Sequence, residues 1–83
     1  MVETLIAVQT VKGENGEVYN YSYYRLEEKN SYGVCIKDQK GAMAMIPNVT
    51  TKRCSVNTLL RKMIRCGVSP ASMRDVVEDW LLL

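Results

Sequence analysis

The chain contains no histidine, and this absence removes much of the enzymology open to a small protein. Without an imidazole there is no histidine general base, no catalytic triad of the usual kind and no imidazole ligand for a metal. The five glycines are scattered singly, so no glycine-rich loop is available to cradle a phosphate. We therefore expect a protein that is not an enzyme and that carries no cofactor and no metal ion.

Cysteine is scarce and apolar runs are short. The chain has three cysteines, an odd number, and none of them forms a CxxC pair: Cys35, Cys54 and Cys66. A secreted domain held together by disulfides usually has an even number. Glu3 stands where a secretory signal would carry lysine or arginine, and no apolar run approaches the roughly 20 residues that span a bilayer. We expect a cytoplasmic protein with neither a signal peptide nor a membrane anchor, and with no membrane as a partner.

A large excess of one charge is also lacking, because 11 Lys and Arg residues stand against 9 Asp and Glu residues. A net charge of +2 is too small to imply a polyanionic partner by itself. With 47% hydrophobic and 24% charged residues, the composition is that of one globular domain covering residues 1–83. Its core is thin, since a domain of this size buries only about 60% of the surface of its unfolded chain.

Residues 1–50 alternate with the period of two that is typical of strands. The first strand is apolar or β-branched on both faces, and Asn15-Gly16 after it is the strongest short signal for a hairpin. The doublet Tyr23-Tyr24 favours a β-bulge in the second strand. Pro47 cannot donate to a ladder and is expected to end the fourth strand. Consecutive short connections predict a four-stranded antiparallel meander, with strands at residues 2–11, 18–28, 32–37 and 42–46.

From Ser55 the apolar period changes to 3.6 residues, which predicts two helices in residues 55–83. Ser55 is the expected N-cap of the first helix and Gly67 its C′ residue. Ser69 is the expected N-cap of the second helix, with Pro70 in its first position. The predicted fold class is therefore α+β, with a helical hairpin packed on one face of the sheet. The predicted core stripes are Val56, Leu59, Leu60, Met63 and Ile64 in the first helix and Met73, Val76, Val77, Trp80 and Leu81 in the second.

The order and length of these segments resemble a known protein family. The most specific part is the run Arg-Asp-Val-Val-Glu-Asp-Trp-Leu at residues 74–81. It follows the tyrosine-rich strand and the run Ser-Tyr-Gly-Val-Cys-Ile at residues 31–36. Over most of its length the chain resembles a family of small uncharacterised clostridial (Firmicutes) proteins, a domain of unknown function. The resemblance implies a bacterial, cytoplasmic setting, and it implies neither an activity nor a functional residue.

Tyr19, Tyr21 and Tyr23 share one face of the second predicted strand, and Arg25 is in phase with them. The tyrosines could pack into the protein's own core, or they could lie on an open sheet face and meet a second subunit or a partner protein. They could also stack on bases, although only Arg25 would bring positive charge to that surface. We take these residues as the candidate partner surface, with core packing as the alternative.

A helix-turn-helix is the other candidate site. Ser69 and Arg74, near the start of the second predicted helix, would meet base edges. Arg61, Lys62 and Arg65 of the first predicted helix would reach phosphate. Three acidic residues along the second helix argue against this arrangement, because they would face phosphate repulsion. The alternative without a binding function is that the basic residues simply form a solvated helix face.

The sequence ends on apolar residues, and Leu82 and Leu83 lie beyond the core stripe of the second helix. They need cover from the sheet or from a second subunit. Together with the thin core and an open sheet face, they predict a homodimer or a subunit of a hetero-complex. The sequence therefore favours a small non-enzymatic interaction or regulatory protein that acts through a protein–protein surface. Nucleic-acid binding is the alternative function.

Overall fold

The computed structural model describes residues 1–82 and contains a four-stranded antiparallel sheet followed by two helices, which confirms the predicted fold. The strands lie in the sheet in chain order, as short connections between antiparallel neighbours require, so the first and last strands are its edges. The elements are β1 (Val2–Lys12), β2 (Val18–Glu28), β3 (Ser31–Asp38), β4 (Met43–Thr50), α1 (Arg53–Cys66) and α2 (Met73–Leu81).

The turn between β1 and β2 is the predicted Asn-Gly hairpin. Gly16 has a φ of 82°, the left-handed conformation that glycine adopts without steric cost. The N–H of Glu17 donates to Oδ1 of Asn15 at 3.0 Å, and the N–H of Gly13 donates to the carbonyl of Glu17 at 2.7 Å. Local turn chemistry therefore fixes the register of the longest strand pair.

The predicted bulge at Tyr23-Tyr24 was assigned to the wrong strand. Leu5 pairs with Tyr24 and Ala7 pairs with Tyr23, so Ile6 is the extra residue and the bulge belongs to β1. β2 has a neighbour on each side, whereas β1 has only one, so a bulge in β1 interrupts a single ladder. The two tyrosines keep their alternation and point to opposite faces.

The fourth strand was predicted to end at Pro47, but it continues to Thr50. Val34 pairs with Ile46 and Tyr32 pairs with Thr50, so three residues of β4 stand opposite Gly33 alone. Proline is tolerated at this point because it sits in a bulge of an edge strand.

Both helices begin at positions other than those expected. α1 begins at Arg53 rather than after Ser55, because the N–H of Val56 already bonds to the carbonyl of Lys52 at 3.2 Å. α2 begins at Met73, because Ser69 opens a tight turn in which the N–H of Ser72 donates to the carbonyl of Ser69 at 3.1 Å. Within residues 1–82, no side chain caps either N-terminus.

The C-terminus of α1 is the predicted one. Gly67 has a φ of 63° and its N–H donates to the carbonyl of Ile64 at 3.2 Å, which satisfies an otherwise unpaired helix carbonyl.

The helices cover the face of the sheet that carries Tyr21 and Tyr23, which the sequence left open. Direct partners in antiparallel strands share a face, so Val34 and Ile36 of β3 lie on this covered face too. The core cluster is Tyr21, Tyr23, Val34, Ile36, Val56, Leu59, Leu60, Met63, Val68, Met73 and Val77.

The end of α2 leaves the core. Trp80 is half-buried against it, but Leu81 is 55% exposed, so the predicted core position of Leu81 is wrong. Leu82 is 85% exposed and gains no cover from the sheet, and Leu83 lies outside the described residues. α2 packs against α1 and the edge strand β4, so less of the sheet is available to cover its last turn. Among residues 1–82, no helix is long and apolar enough to cross a bilayer.

Candidate interaction surface

The tyrosines predicted to form a partner surface lie largely inside the protein. Tyr21 is 7% exposed and Tyr23 is fully buried, so the core interpretation holds for both and the surface interpretation is wrong. The hydroxyl of Tyr23 donates to the carbonyl of Val68 at 2.9 Å, and burial raises the pKa of this phenol. The helices need a wide apolar face beneath them, and tyrosine rings supply more apolar area than the residues of the other face.

Tyr19 lies at the rim of the core, half-buried and stacked on Tyr21 with ring centroids 6.1 Å apart. Its hydroxyl donates to Oε2 of Glu17 at 2.7 Å, and this hydrogen bond raises the pKa of Tyr19. Glu17 also accepts from Lys40 at 3.3 Å. The charges of Glu17 and Lys40 at this end of the sheet are therefore paired with each other within the chain.

Arg25, the fourth member of the predicted surface, is engaged within the molecule. Its guanidinium donates to Oε1 of Glu27 at 2.8 Å and to Oδ1 of Asn57 at 2.9 Å. The side chain is 11% exposed, so it joins β2 to α1 and is not presented to a partner.

The cleft beside Arg25 is small. It measures about 270 Å³, which is below the usual range for a small-molecule site, and it is lined by the β1 bulge and one side of α1. Because the arginine there is already paired, the cleft lacks a free charge from its strand side. The lining residues are Ile6, Arg25, Asn57, Leu60, Arg61 and Ile64.

The basic residues of the helix-turn-helix hypothesis are placed on the surface. Arg61, Lys62 and Arg65 are exposed on α1, and none of them forms an ion pair within residues 1–82. Arg74 is exposed on α2 beside the exposed Asp75.

The connection between the helices does not match the predicted recognition element. Six residues, 67–72, separate α1 from α2, and Ser69 is in this connection and not at a helix start. Its half-buried hydroxyl donates to Oγ of Ser72 at 3.3 Å. Ser69 therefore opens a turn, and the four basic residues are left without the helix start that was to orient them.

The face of the sheet opposite the helices is the uncovered face. Leu5, Val8, Val18 and Met43 are each at least half exposed there. Cys35 is fully buried between β2 and β4 on this side, and burial raises the pKa of its thiol. The exposed apolar side chains of the uncovered face thus lie at its margins, and the side chain of Cys35 at its centre is buried.

A polar strip crosses the uncovered face. Nζ of Lys37 donates to Oε1 of Glu3 at 3.0 Å and lies 4.7 Å from the centre of the Tyr24 ring. The hydrogen bond with Glu3 raises the pKa of Lys37. This contact spans β2 and ties the first residues of β1 to β3.

Exposed apolar side chains are concentrated on β1. Of the nine large apolar side chains exposed within residues 1–82, four belong to this strand. Its free side, the β1 edge, bonds to no other backbone group in the described part of the chain. The sequence carried the signal for this surface, since the strand is apolar on both faces, but its edge position was not inferred. The four residues are Val2, Leu5, Ile6 and Val8.

Comparison with known proteins assigns the chain to a family. It matches a family of unknown function, DUF6514, over residues 2–83, and it belongs to that family. No curated protein matches the chain. No solved structure matches it.

Proposed function

We propose that this chain is a small non-enzymatic interaction protein that binds another protein through the β1 edge and the adjoining margin of the uncovered face. The observation that carries the proposal is the concentration of exposed apolar side chains on one unpaired strand. Isolated apolar residues are ordinary on protein surfaces, whereas a contiguous set beside free backbone groups is typical of a docking site.

The chemistry of the surface supports binding by strand addition. Backbone groups of an edge strand supply hydrogen bonds, and the side chains on either side supply apolar area. Leu5 and Val8 are 52% and 60% exposed on the uncovered face, and Val2 is 59% exposed on the other face. An extended segment beside β1 would bury all three.

A bacterial, cytoplasmic setting is part of the proposal. Cys35, Cys54 and Cys66 are free thiols, which is usual in a reducing compartment. The clostridial origin, the cytoplasmic location and the lack of enzymatic activity remain predictions from the sequence.

Comparative affinity capture tests the proposed function. The wild-type chain and the variant Leu5→Lys with Val8→Lys are immobilised, and proteins retained from bacterial lysate are quantified. The matched control is Arg61→Glu with Arg65→Glu, which changes two exposed residues of α1 instead. We expect a partner that is retained by wild type and by the α1 variant but lost with the β1 variant. Equal retention of every protein by all three, including added soluble copies of the chain itself, would refute the proposal.

Nucleic-acid binding is kept as a second candidate for one reason. The basic residues of α1 are exposed and form no ion pair within residues 1–82, so they are available to phosphate groups. Fluorescence anisotropy with random duplex DNA and single-stranded RNA at two salt concentrations tests it. Binding that weakens steeply with salt and disappears in Arg61→Glu with Arg65→Glu would support it. Absence of binding at low salt would retire it.

A further inference from the structure

We propose that the occupant of the β1 edge is a second copy of this chain, paired antiparallel along β1 to form a continuous eight-stranded sheet across a two-fold axis at Val8. This inference rests on the proposed function and names its partner. It follows from the length of the free edge, from the charges at its two ends and from the position of its bulge.

The β1 edge lacks most of the devices by which proteins keep strands from pairing. Such devices are short edge strands, proline, several charged residues, β-bulges and covering loops. β1 has 11 residues, contains no proline and carries charge only at Glu3 and Lys12, near its two ends. Between these two residues the strand is uncharged, and the bulge at Ile6 is the irregularity to which a second strand must adapt.

The residues of β1 are self-complementary in an antiparallel arrangement. With Val8 opposite its own copy, Ala7 lies opposite Gln9 of the second copy, and the order is repeated on the other side of the axis. Direct partners in an antiparallel pair must share a face. Val8 lies on the uncovered face, whereas Ala7 and Gln9 lie on the covered face, so the register meets this condition.

The bulge extends the same register to the ends of the strand. Ile6 is an extra residue, so Leu5 and Glu3 lie on the uncovered face together with Thr10 and Lys12. Counting outward from Val8 past the bulge therefore places Leu5 opposite Thr10 of the second copy. It also places Glu3 opposite Lys12 of the second copy.

This register brings opposite charges together twice, once at each end of the paired strands. Lys12 is exposed, and Glu3 uses one carboxylate oxygen to accept from Lys37. A carboxylate has two oxygens and can accept from two ammonium groups at once. The charges would therefore favour antiparallel pairing of two copies over parallel pairing, which would place like charges side by side.

Sedimentation equilibrium tests the dimer. At micromolar and higher concentrations we expect a mass of twice the 9.4 kDa of one chain. Val8→Lys places two ammonium groups face to face on the two-fold axis, and we expect it to sediment as one chain. Because Val8 is 60% exposed, the substitution leaves the fold of the single chain intact.

Met43→Lys is the matched control. Met43 is 58% exposed on the same uncovered face, but it belongs to β4, at the opposite edge of the sheet. We expect this variant to remain a dimer. A wild-type protein that sediments as one chain, or equal dissociation of the two variants, would overturn the proposal. Equal dissociation would mean that the sheet faces and not the edges are in contact.

Disulfide trapping tests the register independently. In a background of Cys54→Ser with Cys66→Ser, which removes the exposed thiols, Val8→Cys is oxidised under mild conditions. Directly opposed residues have Cα atoms about 4.5 or 5.5 Å apart, within the reach of a disulfide. We expect a covalent dimer from Val8→Cys. Thr10→Cys places its two thiols four residues apart along the strands, about 14 Å, so we expect no cross-link there. Equal cross-linking at both positions would overturn the register.

The outcomes separate this inference from the proposed function. A single-chain mass together with a lysate partner that depends on Leu5 and Val8 would reject the second copy as occupant and leave the proposed function standing. A single-chain mass without such a partner would reject both. A dimer that survives Val8→Lys would reject the β1 edge as its interface.

Discussion

The two edges of the sheet are built in opposite ways. β4 has eight residues. Its extended backbone is interrupted by Pro47 and by Asn48, which has a φ of 59°. β1 has 11 residues, no proline and one bulge. Proline, strong bends and short length are the features by which edge strands avoid pairing. The backbone of β4 thus hinders pairing with another strand, whereas the free edge of β1 allows it. We therefore assign binding to β1.

Gly33 makes the interrupted backbone of β4 possible, and its substitution has the largest expected effect. A Cβ atom at this position would lie 2.6 Å from Cα of Pro47 and would also collide with the carbonyl oxygen of Ile46. Both are backbone atoms, so β4 would have to move away from β3. We expect Gly33→Ala to lower the free energy of unfolding by about 2–4 kcal/mol, measured by urea denaturation.

Gly16→Ala is the control for this substitution. Gly16 also changes to alanine, but no atom of residues 1–82 outside its own neighbourhood lies within 4 Å of the added Cβ, and only its φ of 82° opposes the change. We expect a loss of about 1 kcal/mol. If Gly33→Ala cost no more than Gly16→Ala, β4 would not depend on close approach to β3.

Deletion of Ile6 sharpens the contrast at the β1 edge. Since Ile6 is the extra residue of the bulge, its removal keeps every other pair between β1 and β2 and straightens the strand. The loss of a side chain that is 39% exposed should lower the free energy of unfolding by about 1 kcal/mol. A straighter edge adds hydrogen bonds between copies, so we expect the dimer to dissociate at about tenfold lower concentration.

Ile6→Ala separates the bulge from the side chain. This variant loses the same apolar contacts but keeps the extra residue, so its stability should fall by a similar amount while its dimer remains unchanged. A deletion variant that associates no more tightly than Ile6→Ala would contradict the view that the bulge is what limits pairing along β1.

The charges at the ends of β1 should contribute less. We expect Glu3→Lys and Lys12→Glu each to weaken the dimer about fivefold, because each breaks two exposed ion pairs per dimer. The double variant reverses both charges and should restore the wild-type affinity, as measured by sedimentation. Additive weakening in the double variant would show that Glu3 and Lys12 do not face each other.

Much of the architecture could be read from the sequence because local rules agree with one another there. Alternation in residues 1–50, the Asn15-Gly16 turn and the change of period at Ser55 specified four strands and two helices in order. The start of α1 was missed because residues 53–55 are already helical, while the extended Lys52 before them offers no capping hydrogen bond from its side chain. The extension of β4 past Pro47 was missed because it depends on a contact with Gly33 in another strand.

The location of the surface was harder to predict than the fold. Alternation divides β2 into a tyrosine face and a second face, but tyrosine suits both a core and an exposed surface. Only the packing of the helices decided between them, and it buried Tyr23 completely. The apolar character of β1 on both faces was visible in the sequence. Its meaning depended on knowing that β1 has a single neighbour.

The smallest expected effect concerns the ion pair that ties the β1 edge to β3. The hydrogen bond from Lys37 to Glu3 raises the pKa of Lys37 above its ordinary value of 10.5. A raised pKa means that the folded protein holds the proton more tightly than the unfolded chain. The stabilisation is therefore fully present below the ordinary pKa and is lost as the pH rises through the folded one. Because this group lies on the surface, the gain in stability should be slight.

An NMR titration of the Lys37 side chain measures this coupling directly. We expect Glu3→Gln to lower the pKa of Lys37 towards its ordinary value, since the amide keeps a hydrogen-bond acceptor but loses the charge. Glu14→Gln, in the hairpin turn, removes an equal charge at a residue that forms no ion pair within residues 1–82 and should leave the pKa of Lys37 unchanged. Equal shifts in the two variants would mean that Lys37 responds to net charge alone. The amino end of β1 would then be held only by its ladder with β2.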